Sequence, residues 1–230
     1  MRNPKILLLI IFACFHLAFA DETATVAVLN FENHSIFDKE SYASLSSGLA
    51  EMMSTPLSQI QSIQLVERRN LQKVIDEIKM AQAGVLSDDK AQQVGKLAGA
   101  QYLVFGSFMV APGDKIRIDM RIVNAETGLT EKAEEVTGKT KNILSLVNTL
   151  GKKMVNQLSL SLTGSENAAF AKSQDLNFKA VLAFSNGVQA EDQGDFATAK
   201  NQYRKALEIE PKFEQAKSRL TALQKTSMQE

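Results

Sequence analysis

The feature that most constrains the fold is a continuous apolar run over residues 102–110, with an alternating segment shortly after it. Between the two, residues 111–114 read Ala-Pro-Gly-Asp, the composition of a tight turn. After the turn, charged residues alternate with Ile116, Ile118, Met120 and Ile122. A continuous run is typical of a strand buried on both faces, whereas alternation is typical of a strand with one exposed face. The chain is therefore predicted to form a hairpin within a sheet.

Strand and helix signals alternate along residues 25–160 and predict an α/β (α+β) fold. Short apolar runs predict strands at 25–31 and 63–67, and a polar segment after a Glu-Thr-Gly turn predicts an edge strand at 130–137. Apolar residues at helical spacing predict helices at 41–57, 71–83, 87–98 and 142–160, the third with Ser87 as its N-cap. This order of elements predicts one mixed sheet with helices packed on it.

Residues 1–20 are predicted to be a secretory signal, because a basic start and an apolar run precede the small-x-small site Ala-Phe-Ala at 18–20. Cleavage after Ala20 would place the mature chain in the periplasm. An alternative is a lipoprotein anchored through Cys14, since residues 11–14 loosely resemble a lipobox, although bulky Phe12 fits that motif badly. No transmembrane segment is expected in the mature chain, because no other stretch approaches the length of a spanning helix.

The composition excludes several classes of function. The 230 residues contain 26 basic and 26 acidic side chains, one Cys and two His. Removal of the signal leaves a net charge of about −2, without the basic excess that nucleic-acid binding requires. Removal also takes away Cys14 and His16, so His34 is the single imidazole left, and disulfides and Cys-based zinc sites are excluded. We predict no metal site, no cofactor and no nucleic-acid partner, and His34 is expected to be an ordinary polar loop residue.

Two motifs resemble parts of catalytic sites without completing them. Gly-Lys-Thr at 138–140 resembles the end of a phosphate-binding loop, but Ala133 stands where that loop needs another Gly. Ser87 and Lys90 have the spacing of a Ser nucleophile and its Lys, but no Lys-Thr-Gly follows. No acid, base and nucleophile stand out as a set, so the chain is predicted to have no catalytic residues and not to be an enzyme.

The C-terminal quarter differs in kind from the rest of the chain. Residues 163–174 are small and polar and are predicted to be a linker between a domain at 21–162 and a helical module at 175–230. Residues 180–213 resemble a tetratricopeptide repeat, with a turn at 192–195 and a covering helix after it. The positions that carry this resemblance are Gly187, Gly194, Ala199, Tyr203, Ala206 and Pro211.

The first domain contains four segments whose order is informative: Val-Ala-Val-Leu-Asn-Phe at 26–31, Leu-Val-Glu-Arg at 65–68, Gly-Lys-Leu-Ala-Gly-Ala-Gln-Tyr-Leu-Val-Phe-Gly-Ser at 95–107 and Arg-Ile-Val-Asn-Ala-Glu-Thr-Gly at 121–128. Together these segments resemble the curli secretion (CsgG) family and the related N-terminal domain of TolB-like proteins. The resemblance covers about residues 25–160. It implies an envelope protein without catalysis, in a group that includes oligomeric outer-membrane secretion channels and periplasmic or lipidated accessory proteins.

Two groups of residues are candidates for protein binding. On the pattern of the repeat, the groove side of its first helix would carry Val181, Phe184, Val188, Glu191 and Asp192. An apolar patch beside acidic residues suits a peptide or partner helix with basic residues, and packing within the chain is the alternative. The second group follows a predicted strand and consists of Glu67, Arg68 and Arg69. It suits either a subunit contact through paired charges or a solvated helix cap.

Together these observations predict a non-catalytic periplasmic accessory or assembly protein, related to curli secretion components, of a bacterium with an outer membrane. It would act through binding to other envelope proteins, with self-association as a possible addition. The alternative is a subunit of an oligomeric outer-membrane secretion channel.

Overall fold

The computed structural model describes residues 23–81, 88–171 and 174–226. The predicted signal at 1–20 and the predicted N-cap Ser87 lie outside these residues. The strands are β1 (Ala24–Val28), β2 (Glu32–Asn33), β3 (Ile63–Leu65), β4 (Tyr102–Ala111), β5 (Lys115–Asn124) and β6 (Thr130–Lys139). The helices are α1 (Leu45–Leu57), α2 (Arg68–Ala81), α3 (Asp88–Ala98), α4 (Ile143–Gln157), α5 (Gly164–Ala171), α6 (Phe178–Asp192), α7 (Phe196–Ile209) and α8 (Glu214–Thr226).

The strands form a mixed sheet, and the predicted α/β class is confirmed. The strand order is β3-β1-β4-β5-β6, and the two-residue β2 pairs with β4. β1 runs parallel to β3 and β4, whereas β4, β5 and β6 are antiparallel neighbours. The apolar run and the alternating segment of the sequence are thus the two strands of the predicted hairpin, and the polar segment after them is the edge strand β6.

Helices cover the two faces of the sheet unequally. The alternating apolar residues of β5 belong to a large core that also contains buried residues of α1 and α4. On the other face, a smaller cluster joins β1, β4 and the end of β5 to Leu71 of α2 and Val94 of α3. Arg117, Asp119 and Arg121 of β5 line an open cleft. Among the described residues, no helix is long and apolar enough to span a membrane.

Helix α1 is buried on nearly all sides because it lies between the sheet and the C-terminal helices. Its buried residues include Leu45 and Leu49 but also Ser47, Gly48 and Glu51. The large core is continuous from the strands through α1 to side chains of α6, α7 and α8. A single helical hairpin cannot bury its apolar face alone, and here that face is buried against the α/β part of the same chain.

Gly48 permits the closest approach between α1 and α6. A Cβ at Gly48 would lie 1.9 Å from Ser185 Oγ and 2.6 Å from Ser185 Cβ. Such distances are well inside van der Waals contact, so any larger residue at 48 requires one of the two helices to move.

The predicted linker at 163–174 is not free of secondary structure, because it contains helix α5. Thr163 and Glu166 form a capping box: the Glu166 carboxylate accepts a bond from Thr163 N at 2.7 Å, and Thr163 Oγ1 accepts one from Glu166 N at 3.3 Å. Glu166 also accepts a bond from Gln61 N at 2.9 Å, ahead of β3. Buried Phe170 packs closely on Gly151 of α4. These contacts fix α5 on the α/β part.

The negative charge of Glu166 should stabilise the fold at neutral pH and contribute less in acid. The bonds from Gln61 N and from Thr163 lower the pKa of Glu166 in the folded chain. The carboxylate therefore stabilises the fold above its unfolded pKa of about 4.3, and this contribution is lost as the pH falls through the lower folded pKa. Urea unfolding should show Glu166→Gln to be less stable than wild type at neutral pH, with the difference shrinking in acid. A difference independent of pH would contradict this role.

Gly48→Ala should destabilise the fold by about 1–3 kcal/mol, because the added methyl group overlaps Ser185. Gly164→Ala is the matched control: a Cβ at Gly164 meets no atom within 4 Å, and we expect a change within about 0.5 kcal/mol. Ser185→Gly, combined with Gly48→Ala, should recover part of the lost stability. Free energies of urea unfolding measure all three effects, and equal losses for Gly48→Ala and Gly164→Ala would refute the steric explanation.

Candidate interaction site

The residues that carry the repeat resemblance lie in and next to the hairpin of α6 and α7. Tyr203 is fully buried, and a Cβ at Gly187 would lie 2.5 Å from its ring. Ala199 and Ala206 are also buried on α7. Gly194 lies in the turn between α6 and α7 with a positive φ of 79°, and exposed Pro211 follows the end of α7. All six positions thus lie in the hairpin of α6 and α7 or directly after it.

The apolar side chains expected on the groove side of α6 are inside the protein. Val181, Phe184 and Val188 are fully buried and belong to the large core. The Phe184 ring lies 5.7 Å from the ring of Tyr203 and 4.9 Å from that of Phe213, measured between centroids. Of the two alternatives left open by the sequence, packing within the chain is the one observed for these three residues.

Arg68, the first residue of α2, joins the two groups of candidate residues. Arg68 Nη2 donates to Asp192 Oδ2 at 2.5 Å, and Arg68 Nε donates to Asp192 Oδ1 at 3.2 Å. Its Nη2 also donates to Asn30 Oδ1 at 3.1 Å. Only 16% of the Arg68 side chain is exposed. Arg68 is thus mostly buried and binds the end of α6 in its own chain.

Glu51 extends this contact into a network between the helices. Its carboxylate lies 4.0 Å from Arg68 Nε and 3.7 Å from Nη1 of Arg219 on α8. Arg219 Nη2 donates to Glu191 Oε1 at 2.5 Å, and Tyr203 Oη donates to Glu191 Oε2 at 2.8 Å. We call Arg68, Arg219, Glu51, Glu191 and Asp192 the arginine–carboxylate cluster. It connects α1, α2, α6 and α8, and Tyr203 adds α7.

The environment of the cluster fixes the protonation states of Tyr203 and Arg219. Burial raises the pKa of Tyr203, and the negative charge of Glu191 raises it further. Burial on its own lowers the pKa of Arg219, but the charges of Glu51 and Glu191 outweigh that effect and raise it. Tyr203 therefore remains a hydrogen-bond donor and Arg219 remains charged throughout the physiological pH range. Both groups thus keep their bonds between the helices across that range.

The accessible part of the site is a cleft of about 500 Å³ next to the cluster. Exposed Glu67 and Arg69 lie on its rim, and the Arg69 guanidinium lies 5.9 Å from the centre of the Phe196 ring on α7. The remaining lining includes Leu65, Val66, Gln215 and Ser218. All five residues of the arginine–carboxylate cluster also line the cleft, so its surface is mostly charged, and it lies between the α/β part and α8.

His34 lies at a separate cleft, of about 490 Å³, on the open face of β4 to β6. Its ring nitrogen is 3.2 Å from Glu32 Oε2, and both side chains are exposed. The described residues hold no group of three or more His, Cys, Asp or Glu side chains that could bind a metal ion. The Arg117 guanidinium in this cleft is bound by Asp119, with an Nη2–Oδ1 distance of 2.7 Å, and by Glu135.

Sequence reasoning missed Glu51 and Arg219. For Glu51 the sequence does contain a signal. The residues of α1 are small or apolar on all of its sides, which predicts a helix buried on more than one face. A charged residue on such a helix requires a partner in the interior. No comparable signal identifies Arg219, because α8 is largely polar and its partners are far away in the sequence.

Arg68→Ala should destabilise the protein by about 1–3 kcal/mol, because Asp192 and Glu51 lose a neighbouring positive charge while partly buried. Arg69→Ala is the matched control, since it removes only the contact with Phe196 and should cost less than about 1 kcal/mol. A double-mutant cycle of Arg68→Ala with Asp192→Ala, measured by urea unfolding, should give a coupling of about 1–2 kcal/mol. Additive effects in that cycle would show that the pair does not hold α2 to α6.

Comparison with known proteins gives a family match for part of the chain. Residues 10–111 match the family of the curli production assembly/transport component CsgG. No curated protein matches the chain.

The solved structures that match this chain are distant from it in sequence. The C-terminal domain of LpoB from Escherichia coli is 14% identical, with a TM-score of 0.39, and the match covers 50% of this chain and 82% of that domain. TolB from Acinetobacter baumannii is 11% identical, with a TM-score of 0.40 and coverage of 60% of this chain but 29% of that chain. A PelC dodecamer from Paraburkholderia phytofirmans is 12% identical, with a TM-score of 0.36 and coverage of 60% and 90%. In the described structure, the residues that match this family extend from β1 to the end of β4.

Proposed function

We propose that this chain is a non-catalytic accessory or assembly protein of the bacterial cell envelope, related to curli secretion components, that acts by binding other proteins. The observation that carries the proposal is the match of residues 10–111 to the curli production assembly/transport component CsgG. A signal removed after Ala20 would deliver the chain to the periplasm.

Several ionisable groups act as fixed charges in the fold. Among the described residues, the pKa values of Glu134, Glu166 and Asp195 are lowered, and those of Arg117, Tyr203 and Arg219 are raised. Lys153 holds the Glu134 carboxylate, and the backbone N–H of Thr198 holds that of Asp195. These groups serve as fixed charges and fixed donors, which suits a structural role.

We propose further that the C-terminal helices are one tetratricopeptide-like unit whose groove is occupied by the chain's own α1. Burial of Val181, Phe184 and Val188 supports this arrangement. A partner would then contact the outer rim of the cleft, where Glu67 and Arg69 are exposed. The arginine–carboxylate cluster beneath would hold that rim in a fixed shape, so that little conformational entropy is lost on binding.

The destination of the chain can be tested by expressing the full chain in a bacterium with an outer membrane. We expect the periplasmic fraction to contain a protein whose intact mass equals that of residues 21–230, and Cys14→Ala, the matched control, to leave mass and fraction unchanged. A lipid-modified mass in the membrane fraction, lost in Cys14→Ala, would instead establish the lipoprotein alternative.

Binding can be tested by cross-linking in the native cell envelope, followed by identification of the linked proteins. We expect a surface-assembly or secretion component to be linked to the wild type and to be lost in the charge reversal Glu67→Lys/Arg69→Glu. Lys115→Glu, an exposed charge in β5, is the matched control and should retain the partner. The proposed accessory role would be contradicted if both variants lost the partner. It would also be contradicted if the protein formed a ring-sized particle that needs detergent for solubility. Hydrolysis of a cell-wall substrate by the purified protein would contradict the non-catalytic role.

A further inference from the structure

Glu51 is the carboxylate of the arginine–carboxylate cluster that accepts no hydrogen bond from the described residues. The carboxylates of Glu191 and Asp192 each accept hydrogen bonds through both oxygens. The nearest cluster nitrogens to the Glu51 oxygens, in Arg68 and Arg219, lie 4.0 and 3.7 Å away, beyond hydrogen-bond distance. Only 9% of the Glu51 side chain is exposed. Glu51 is thus nine-tenths buried and still able to accept bonds from a further donor.

The cleft beside the cluster has an excess of one negative charge. Its lining contains four carboxylates and three guanidinium groups. Glu67 and Arg69 balance each other on the rim, and each arginine of the cluster binds one carboxylate directly. The remaining negative charge belongs to Glu51. Because a buried charge without a close partner is unfavourable, the cleft attracts a cation and repels an anion.

The face of α1 that carries Glu51 offers further acceptors. Ser54, Thr55 and Ser58 lie three, four and seven positions later and line the same cleft. Their hydroxyl groups donate to backbone carbonyls of α1, at 2.8, 3.0 and 2.8 Å. A hydroxyl has one hydrogen and two lone pairs, so these oxygens can accept a bond from a ligand but have no hydrogen left to donate. The α1 side of the cleft therefore suits a ligand group that is a donor.

We propose that the cleft receives the ammonium group of a lysine from a partner protein, with Glu51 as the counter-ion. An ammonium group carries three donors and no acceptor, which suits Glu51 and the hydroxyl oxygens of Ser54 and Thr55. Leu65 and Val66 also line the cleft, and the methylene stem of a lysine packs well on such apolar surface. This inference rests on the proposed function and names the chemistry of the partner at that site.

The position of this acceptor differs from the one that the sequence suggests. The sequence predicts a basic partner for Glu191 and Asp192, on the groove side of α6. In the structure, arginines of the same chain already bind both carboxylates. The carboxylate that remains for a basic partner is Glu51, which lies on α1 and faces the cleft from the other side.

Titration with a short peptide tests the chemistry of recognition. The probe is acetyl-Gly-Ala-Lys-Ala-Gly-amide, and the matched control is the same peptide with an acetylated lysine side chain, which keeps the stem and loses the charge. We expect the purified wild type to bind the lysine peptide at least about tenfold more tightly, measured by amide chemical shifts in NMR spectra. Glu51→Gln should remove this difference, whereas Glu135→Gln, in the separate cleft, should keep it.

Three results of the titration would overturn the proposal. They are equal binding of the two peptides to the wild type, no binding of either peptide, and binding of the corresponding glutamate peptide in their place.

A lysine placed in the protein's own cleft tests the site with Glu51 intact. Ser54→Lys adds an ammonium group one helical turn from Glu51, and Ser54→Gln is the uncharged control. In the cross-linking experiment on the native envelope, we expect Ser54→Lys to lose the linked protein and Ser54→Gln to retain it. Retention by both variants would overturn the lysine site and leave the proposed function in place. Loss from both would overturn the explanation by charge, and a wild type that links no envelope protein would contradict the proposed function as well.

Discussion

The close approach of α1 and α6 is the constraint on which the rest of the structure depends. Gly48 leaves room for Ser185 between the two helices, so the C-terminal helices can lie directly on the α/β part. This approach buries the apolar face of α6, which a single helical hairpin could not bury on its own. It also brings the end of α6 near the start of α2, where Arg68 and Asp192 meet. The charged contacts therefore depend on the packing of α1 against α6.

The arginine–carboxylate cluster defines the orientation of the C-terminal helices more than it adds to stability. Removing two arginines and three carboxylates from water has a large desolvation cost, and the attraction between them roughly offsets it. Each ion pair is, however, satisfied only in one arrangement of α1, α2, α6 and α8. A rotation of α6 would move Glu191 away from Arg219 and Asp192 away from Arg68, and both carboxylates are partly buried.

The sequence predicted the strands and most helices because their signals are local. Alternation in β5 and the continuous run in β4 follow directly from which faces are buried. Helix α5 was missed because it is short and its apolar pattern is weak, although Thr163 and Glu166 have the spacing of a capping box. The contact of Arg68 with Asp192 joins residues 124 positions apart, and no local pattern encodes such a pairing. Arg68 and Asp192 were both recognised as candidates, but which partner each would bind could not be derived from either segment alone.

The burial of α1 on nearly all sides sets an order of events during synthesis. Synthesis proceeds from the N-terminus, so the strands and α1 are made before α6, α7 and α8. Until the last fifty or so residues follow, one side of α1 and the carboxylate of Glu51 remain in contact with water. The α/β part consequently reaches its final form only when the C-terminal helices have been made. A chain that is cut short before α6 exposes an apolar helix face, the kind of surface that chaperones and proteases recognise.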